Sequence, residues 1–504
     1  MVSDVGPAAS MRASRRGTTF ALLAGAFAAA ALVGVALRVT AGRVSVGNNA
    51  LVNKAGVVEA HNSPSLASDP RAPSVVVATD RIDRPTFSAV LNWSADGGRA
   101  WKTTALPLPP GLDRAYGPDA AFGPDGTLYV TYVNLMGQGN VPANLWLARS
   151  VDGGRTLSRP VRIAGRLAFQ ARVVVDRAGT VHVIWLQGRE VALFQLVGPP
   201  SPVVAARSSD GGRTFAPPVQ VSDPNRRYVG AASPVIDSHG RLVVLYEDFK
   251  DDRRDFQNLP GPPWGQPFAL VVTRPIGDRA FSQGVELESG VVPTQRFLVY
   301  VPAFPSLAAG PGDTLYVAWS DGRNGDEDVF LRRSDDGGST WSSATRVNDN
   351  PKRDGTAQYL PRVEVAADGR VDVVFLDRRR DKKNVMTDAT LASSHDRGGS
   401  FDNMRLSTKS FDSRVGPITA PQFPVDFGSR LGLGSGSGRS VAAWTDSRLG
   451  SVDSGRQDIF AASYDVPAPP SGLSRAPAIA ALALLALVCL TLAAPAWRTG
   501  RKRA

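Results

Sequence analysis

Short runs of alternating apolar residues, each ending in a polar residue, recur along the middle of the chain. Most follow a shorter apolar run and a glycine-containing turn, as in 363–369. Alternation with period two predicts β-strands, and the turns predict hairpins. The seven runs are 75–80, 128–134, 181–187, 242–248, 315–321, 371–377 and 441–446. With four strands in each unit of about 60 residues, the pattern predicts an all-β, seven-bladed β-propeller.

A second motif, Ser-x-Asp-x-Gly-x-Thr-aromatic, recurs with the same period. Successive aspartates are 56, 58, 126 and 60 residues apart, so one copy has decayed, and residues 274–281 stand in its place. The aspartates of the five copies are Asp96, Asp152, Asp210, Asp336 and Asp396. Because a carboxylate can accept from turn amides and glycine adopts positive φ, the motif predicts a hairpin turn. These aspartates are therefore expected to be structural.

The motif is the Asp-box, or BNR repeat, and residues 61–468 resemble the sialidase-like β-propellers of the neuraminidase superfamily. The resemblance implies that each box joins the third and fourth strands of a blade, on the face away from the ligand. Sialidases have six blades, so a six-bladed ring remains the alternative to seven.

Two uncharged segments lie near the ends of the chain, 17–37 and 476–497, with basic residues outside each. Each is long enough to cross a bilayer as a helix, and basic flanks are retained in the cytoplasm. We therefore expect an N-terminal and a C-terminal transmembrane helix that hold the propeller on the extracytoplasmic side of the cell membrane. The expected organisation is a basic stub plus signal peptide or signal anchor (1–43), a linker (44–60), the propeller (61–468), a stalk (469–475), a transmembrane helix (476–497) and a basic tail (498–504).

Composition narrows the function classes. The chain has 504 residues and a net charge of +11, but 47 basic and 45 acidic residues remain once 1–43 and 470–504 are set aside. This balance argues against a nucleic-acid partner.

A single cysteine, Cys489, excludes an intramolecular disulfide and a cysteine-based zinc site. We expect a monomer without a cofactor. The acidic run Asp326-Glu327-Asp328, which follows Asp321, could bind calcium through its carboxylate oxygens. The alternative is that these residues form an acidic turn exposed to solvent.

Arginines mark the face opposite the Asp-boxes. Arg172 and Arg362 stand where innermost strands begin, while Arg323, Arg379 and Arg448 follow second strands in the pattern Asp-x-Arg. The latter pattern also closes hairpins with a local ion pair, so both interpretations stay open. The resemblance implies an arginine triad for the carboxylate of an acidic sugar, with Arg172 and Arg362 as two members and one of the other three as the third.

The resemblance also implies a tyrosine nucleophile backed by a glutamate, with an aspartate as acid and base. By position, the candidates are Tyr359 or Tyr116, Glu247 and Asp119. The sialidase element Arg-Ile-Pro is missing, and its nearest match, 81–85, is expected in a loop. Trp264, in the long connection 249–267, is expected to stack on a sugar ring.

The sequence thus predicts a membrane-anchored, extracytoplasmic propeller that hydrolyses or binds a glycan. If it is an enzyme, it is expected to be a glycoside hydrolase of the exo-α-sialidase type. The alternative is a non-catalytic scaffold that binds a protein or cell-wall partner.

Overall fold

The computed structural model describes residues 45–465 apart from 55, 138–139, 190–200, 251–266, 278, 293–303, 418–424 and 437–438. These described residues contain strands and turns but no helix. Accordingly, the described part of the chain holds no helix long and apolar enough to cross a membrane. Both predicted transmembrane segments, 17–37 and 476–497, lie outside it. Residues Val46–Tyr464 form one compact unit.

The described residues form 32 strands, arranged in seven sheets and one small hairpin. Two short strands come first, β1 (Ser45–Val46) and β2 (Ala50–Leu51). Blade 1 consists of β3 (His61–Asp69), β4 (Ala72–Ile82), β5 (Ser88–Ser94) and β6 (Lys102–Ala105). Blade 2 consists of β7 (Ala115–Phe122), β8 (Leu128–Met136), β9 (Val141–Ser150) and β10 (Val161–Ala164). Blade 3 consists of β11 (Ala168–Val175), β12 (Val181–Gln187), β13 (Val203–Ser208) and β14 (Val219–Gln220).

Blade 4 consists of β15 (Val229–Ile236), β16 (Leu242–Asp248), β17 (Phe268–Thr273) and β20 (Val285–Val291), with the hairpin β18 (Pro275–Ile276) and β19 (Ala280–Phe281) between the last two. Blade 5 consists of β21 (Ser306–Ala309), β22 (Leu315–Asp321), β23 (Asp328–Ser334) and β24 (Thr345–Arg346). Blade 6 consists of β25 (Gln358–Val365), β26 (Val371–Asp377), β27 (Met386–Ser394), β28 (Asp402–Arg405) and the short β29 (Phe411–Asp412). Blade 7 contains β30 (Gly432–Gly434), β31 (Arg439–Asp446) and β32 (Asp458–Asp465).

The seven innermost strands contact one another in a closed circle, from β3 through β7, β11, β15, β21, β25 and β30 back to β3. The fold is therefore a seven-bladed propeller, and the six-bladed alternative is wrong. The seven polar-ended runs of the sequence are the second strands of the blades. In β16, β22 and β26 every residue is buried, since a sheet between two neighbouring blades has both faces covered.

The ring closes in blade 7, where both ends of the propeller meet. Strands β1 and β2 pair with β32, so the N-terminal segment supplies the outer edge of a blade whose other strands come from the C-terminal part. Leu51 lies opposite Phe460, and the side-chain amide of Asn53 donates to Asp458 at 3.0 Å. Part of 44–60, the range predicted to be a linker, thus belongs to the closing blade.

A buried histidine lies at this closure. Nδ1 of His61 lies 2.8 Å from Oδ2 of Asp80 and Nε2 lies 3.2 Å from Oε2 of Glu59, while the backbone N–H of His61 donates to the carbonyl of Gln457. Burial lowers the pKa of His61, but the charges and hydrogen bonds of Asp80 and Glu59 raise it to about 9. The imidazolium form is therefore the stable one in the folded protein at neutral pH.

We expect the free energy of unfolding to decrease between pH 6.5 and 9. The folded protein binds the proton of His61 more tightly than the unfolded chain, so this stabilisation is complete below pH 6.5 and is lost as the pH rises through 9. The loss should be on the order of 3 kcal/mol. Urea titrations at several pH values would measure it. The variant His61→Gln should lack this fall, and an equal fall in the variant would contradict the assignment.

Five turns between third and fourth strands carry the Ser-x-Asp motif, and their hydrogen bonds repeat. In the turn between β9 and β10, the hydroxyl of Ser150 donates to Asp152 at 2.7 Å and accepts from the N–H of Gly154 at 2.9 Å. The same carboxylate accepts from the N–H of Thr156 at 3.0 Å. Blade 4 replaces the turn with the β18–β19 hairpin, where the motif has decayed. These aspartates form the turns.

The chain direction defines two faces of the ring. The front face carries the starts of the innermost strands and the ends of the second strands. The rear face carries the turns between first and second strands and the Asp-box turns. The described candidate site residues therefore lie at the front face, or on the innermost strands below it, and the Asp-boxes lie at the rear.

Candidate functional site

Polar or charged side chains from all seven blades line a cavity on the ring axis, which we call the axial cavity. Its volume is about 290 Å³. Each blade contributes one of them in the order Ser65, Asp119, Arg172, Ser233, Ser306, Arg362 and Arg430, and blade 6 also contributes Glu364. Apolar residues on the innermost strands, or just before those strands begin, complete the wall. Phe304 and Leu431 are among them. The cavity thus combines hydrogen-bonding groups with an apolar wall.

A bulge at the start of the innermost strand precedes the axial position. In blade 2 the pairing of β7 with β8 is interrupted between Tyr116 and Asp119, and Gly117 within the bulge has a φ of 57°. Blades 1, 3, 4 and 6 have the same interruption, with left-handed backbone at Ser63, Gln170, Ala231 and Leu360. A bulge re-aims the side chains that follow it. The repeated bulge therefore explains why equivalent side chains converge.

Three axial residues tie neighbouring blades together. A carboxylate oxygen of Asp119 accepts from the backbone N–H of Val173 at 3.1 Å. Ser233 accepts in the same way from Leu307, and Ser306 from Val363, each at 3.1 Å. In each case the donor follows the axial residue of the next blade. These contacts give the axial ring a fixed geometry, and they occupy one oxygen of Asp119, the predicted acid and base.

Arg172 lies deep in the axial cavity, with a side chain that is 10% exposed. Its Nε donates to the carbonyl of Ala232 at 3.3 Å, and its Nη1 lies 3.8 Å from Asp119. Burial lowers the pKa of Arg172, Asp119 raises it, and the positive charge of Arg362 lowers it further. The positive charge of the Arg172 guanidinium is therefore only partly balanced by nearby negative charge.

Arg362 is the more accessible of these two arginines, with 34% of its side chain exposed. Its Nη2 donates to Glu364 at 2.5 Å, and Glu364 also lines the axial cavity. The electrostatic effect of Arg362 on Arg172 reflects their shared cavity. The structure thus brings together the two arginines that the sequence predicted to face the axis.

Arg430 is a third cavity arginine, which the sequence analysis missed. Its Nε donates to the carbonyl of Ser63 at 3.2 Å, and its Nη2 donates to the carbonyl of Pro118. The signal was present in the sequence, because 426–430 repeats the bulge pattern of 115–119, with Phe427 in place of Tyr116 and Gly428 in place of Gly117. Blade 7 carries no Asp-box to align it with the others, so the repeat was overlooked.

The axial cavity has an excess of positive charge. Three arginines line it, against the carboxylates of Asp119 and Glu364. Like charges in a poorly solvated cavity repel one another, and an anion placed between them relieves that repulsion. Guanidinium groups can also hold a carboxylate through two parallel hydrogen bonds. The electrostatics therefore favour an anionic ligand.

The other three predicted binding arginines form local ion pairs near the front face. Each contacts the aspartate two residues before it: Arg323 with Asp321 at 2.6 Å, Arg379 with Asp377 at 2.5 Å and Arg448 with Asp446 at 2.6 Å. Arg323 and Arg448 also lie over the aromatic rings of Phe330 and Phe460. None of the three is among the described residues that line the axial cavity.

Tyr116 belongs to a buried polar cluster at the front of blades 7, 1 and 2. Its hydroxyl donates to Asp83 at 2.9 Å, and Arg81 donates to Asp83 at 2.8 Å and to Asp426 at 3.1 Å. Burial raises the pKa of Tyr116 well above its usual range and raises that of Asp426. Arg81 and Ile82 are part of β4, so the expectation of a loop at 81–85 is wrong for these two residues and confirmed for 83–85.

The remaining catalytic candidates lie apart from this cluster. The hydroxyl of Tyr359 accepts from Nη2 of Arg378 at 3.0 Å, and the guanidinium lies 4.7 Å from the ring centroid. Glu247 is buried in β16, 2% exposed. Like Tyr116, neither is among the described residues that line the axial cavity. Trp264 lies outside the described residues.

The acidic turn proposed as a calcium site is held by internal hydrogen bonds. Asp328 accepts from Arg346 and Asn348 at 2.7 Å each, and Asp326 accepts from the N–H of Gly355. A separate group on the rear face, Asp237, His239 and Asp313, has a spacing that could hold a metal ion. Arg241 donates to both carboxylates of this group at 2.6 Å each, so its guanidinium balances their negative charge.

The sequence matches no protein-family model and no curated protein sequence. Among solved structures, a protein of unknown function from Dyadobacter fermentans is similar, with 13% identity over 84% of this chain and 99% of that one, and a TM-score of 0.46.

Two carbohydrate-active proteins are also similar in structure. The Hadza microbial sialidase Hz136 has 19% identity over 63% of both chains, with a TM-score of 0.42. An α-L-arabinanase from Penicillium chrysogenum, solved with arabinobiose, has 16% identity over 72% of this chain and 97% of that one, with a TM-score of 0.40.

Proposed function

We propose that the axial cavity binds the acidic end of a glycan, with Arg172 and Arg362 holding its carboxylate. One observation carries this proposal: among the described residues, three arginines and two carboxylates share a cavity of about 290 Å³. The lowered pKa of Arg172 supports it, because a bound anion would stabilise the charged guanidinium.

The rest of the wall suits a sugar ring. The hydroxyls of Ser65, Ser233 and Ser306 line the same cavity, and each hydroxyl can both donate and accept. Phe304 and Leu431 supply apolar surface for the C–H face of a ring. Planar guanidinium forks match a carboxylate better than a neutral hydroxyl, so an acidic sugar is the preferred class.

The specific form of this proposal is an exo-acting glycoside hydrolase that removes a terminal acidic sugar. Tyr116 is the better supported of the two candidate nucleophiles, because its hydroxyl is bonded to a carboxylate, that of Asp83. It also lies close to Asp119 along β7, and the carbonyl of the intervening Pro118 contacts Arg430. In this form Asp83 takes the supporting role that the sequence analysis gave to Glu247, and Asp119 remains the proposed acid and base.

We further propose that segments 17–37 and 476–497 anchor the propeller in the cell membrane, on its extracytoplasmic side. Their length and basic flanks support this. The full-length protein should accordingly be recovered from the membrane fraction. Recovery from the soluble fraction would contradict the proposed membrane anchoring but would not bear on the proposed ligand.

The binding proposal predicts that purified full-length protein binds 3′-sialyllactose and does not bind lactose in calorimetric titrations. Arg362→Ala should weaken binding at least about 100-fold, as expected for a charged partner removed from a partly buried site. Arg333→Ala, a control at a rear-face arginine that is 29% exposed, should leave affinity unchanged.

Release of free sialic acid during the titration would establish the hydrolytic form. Binding without release would favour a glycan-binding propeller. Absence of binding to sialyllactose and to glucuronate-terminated oligosaccharides would contradict the glycan proposal and favour the scaffold for a protein or cell-wall partner.

A further inference from the structure

One of the carboxylates that line the axial cavity, that of Glu364, is already paired with Arg362, a proposed ligand-binding residue. Glu364 and Arg362 lie two residues apart on β25, so their side chains project from the same face of the strand. The Oε1 of Glu364 lies 2.5 Å from Nη2 of Arg362, and both side chains are about one-third exposed. This pair is therefore accessible from the cavity, unlike the deeper Arg172.

The two cavity carboxylates differ in how firmly they are held. Asp119 is fixed, because one of its oxygens accepts from the backbone N–H of Val173. Glu364 has no comparable anchor: within the described part of the chain, its hydrogen bonds come from Arg362 alone. Its side chain is also one methylene longer than that of Asp119. Glu364 can therefore leave Arg362 by side-chain rotation, whereas Asp119 cannot move without breaking a contact between blades.

We infer that Glu364 is an internal competitor that sets the affinity and selectivity of the axial cavity. This inference rests on the proposed binding of an acidic glycan. In the free protein the Glu364 carboxylate lies where a ligand carboxylate would contact Arg362. Binding must displace it, and the displaced carboxylate then remains near the bound anion.

Selectivity follows from this exchange. A neutral sugar offers only hydroxyl acceptors, which are weaker partners for a guanidinium than the carboxylate already present. Such a sugar leaves Glu364 in place and gains little from Arg362. An acidic sugar replaces one charged hydrogen bond with another and also contacts Arg172. Glu364 thus lowers affinity for every ligand that must contact Arg362, and a neutral sugar cannot offset that loss with a charged hydrogen bond of its own.

The test compares Glu364→Gln with the unaltered full-length protein in calorimetric titrations with 3′-sialyllactose and lactose. Glutamine keeps the shape but removes the negative charge, so affinity for 3′-sialyllactose should increase about tenfold, the effect expected for a like charge removed several ångströms away. Glu286→Gln is the matched control, because Glu286 also pairs with an arginine, Arg226, and is 34% exposed but lies outside the cavity. It should not change affinity. Thermal melting would confirm that both variants fold.

The outcomes separate the inference from the proposal on which it rests. Tighter binding by Glu364→Gln supports both. Binding by the unaltered protein with equal or weaker binding by Glu364→Gln overturns the inference alone, and weaker binding would place Glu364 in direct contact with the sugar. Absence of binding by both proteins overturns the proposed function, and the inference with it.

Discussion

Replacing Asp372 with alanine is expected to lower the free energy of unfolding by about 3–5 kcal/mol, the cost of leaving one member of a buried ion pair without its partner. Asp372 is fully buried and accepts two hydrogen bonds from Arg370, each at 2.9 Å, while Arg370 is 1% exposed. Its oxygens also accept from Ser393, Ser435 and Tyr464. The cluster joins blade 6 to blade 7, so its loss weakens the ring beside its closure.

Urea-induced unfolding would measure this effect. Asp335→Ala provides the control, because Asp335 forms ion pairs with Arg333 and Arg397 on the exposed rear surface. Exposed pairs contribute at most about 1 kcal/mol, so this variant should unfold almost like the unaltered protein. Equal destabilisation by the two substitutions would contradict the assignment of Asp372 as a structural centre.

Replacing Gly428 with alanine is expected to destabilise the propeller by about 3 kcal/mol. Gly428 has a φ of 87°, which costs an alanine about 1–2 kcal/mol. An added Cβ would also lie 2.5 Å from the hydroxyl and 2.6 Å from the backbone nitrogen of Ser63 in blade 1. Relief of that overlap requires a shift between blades 7 and 1, which adds about 1–3 kcal/mol.

Gly117 is the matched control for Gly428, since it occupies the equivalent bulge position in blade 2. Its φ is 57°, but no atom lies within 4 Å of an added Cβ. Gly117→Ala should therefore carry only the backbone cost of about 1–2 kcal/mol. Comparison of the two variants by thermal unfolding isolates the contribution of close approach at the ring closure. Equal effects would show that backbone conformation alone accounts for both.

Much of the fold could be predicted because its signals are local. Each second strand can be recognised from a run of apolar residues that ends in a polar residue, as in 242–248, and each intact Asp-box indicates a turn. Ring closure has no such signal. The pairing of Leu51 with Phe460 joins residues about 400 positions apart, and two-residue strands carry too little pattern to be recognised.

The candidate site was predictable only in part, for a related reason. The bulge repeat places Arg172 and Arg362 on the axis, so their convergence follows from sequence periodicity. The association of Tyr116 with Asp83 and Asp426 depends instead on three separate connections at the front face. Sequence spacing likewise does not distinguish an arginine that faces a ligand from one that, like Arg448, pairs with the nearby Asp446.

A crystal structure of the propeller with 3′-sialyllactose would test the central claim most directly. The account predicts the sugar carboxylate in the axial cavity, within about 3 Å of guanidinium nitrogens of Arg172 and Arg362, the usual length of such hydrogen bonds. It also predicts that Glu364 has moved away from Arg362. A sugar bound elsewhere on the front face, with Glu364 still on Arg362, would contradict it.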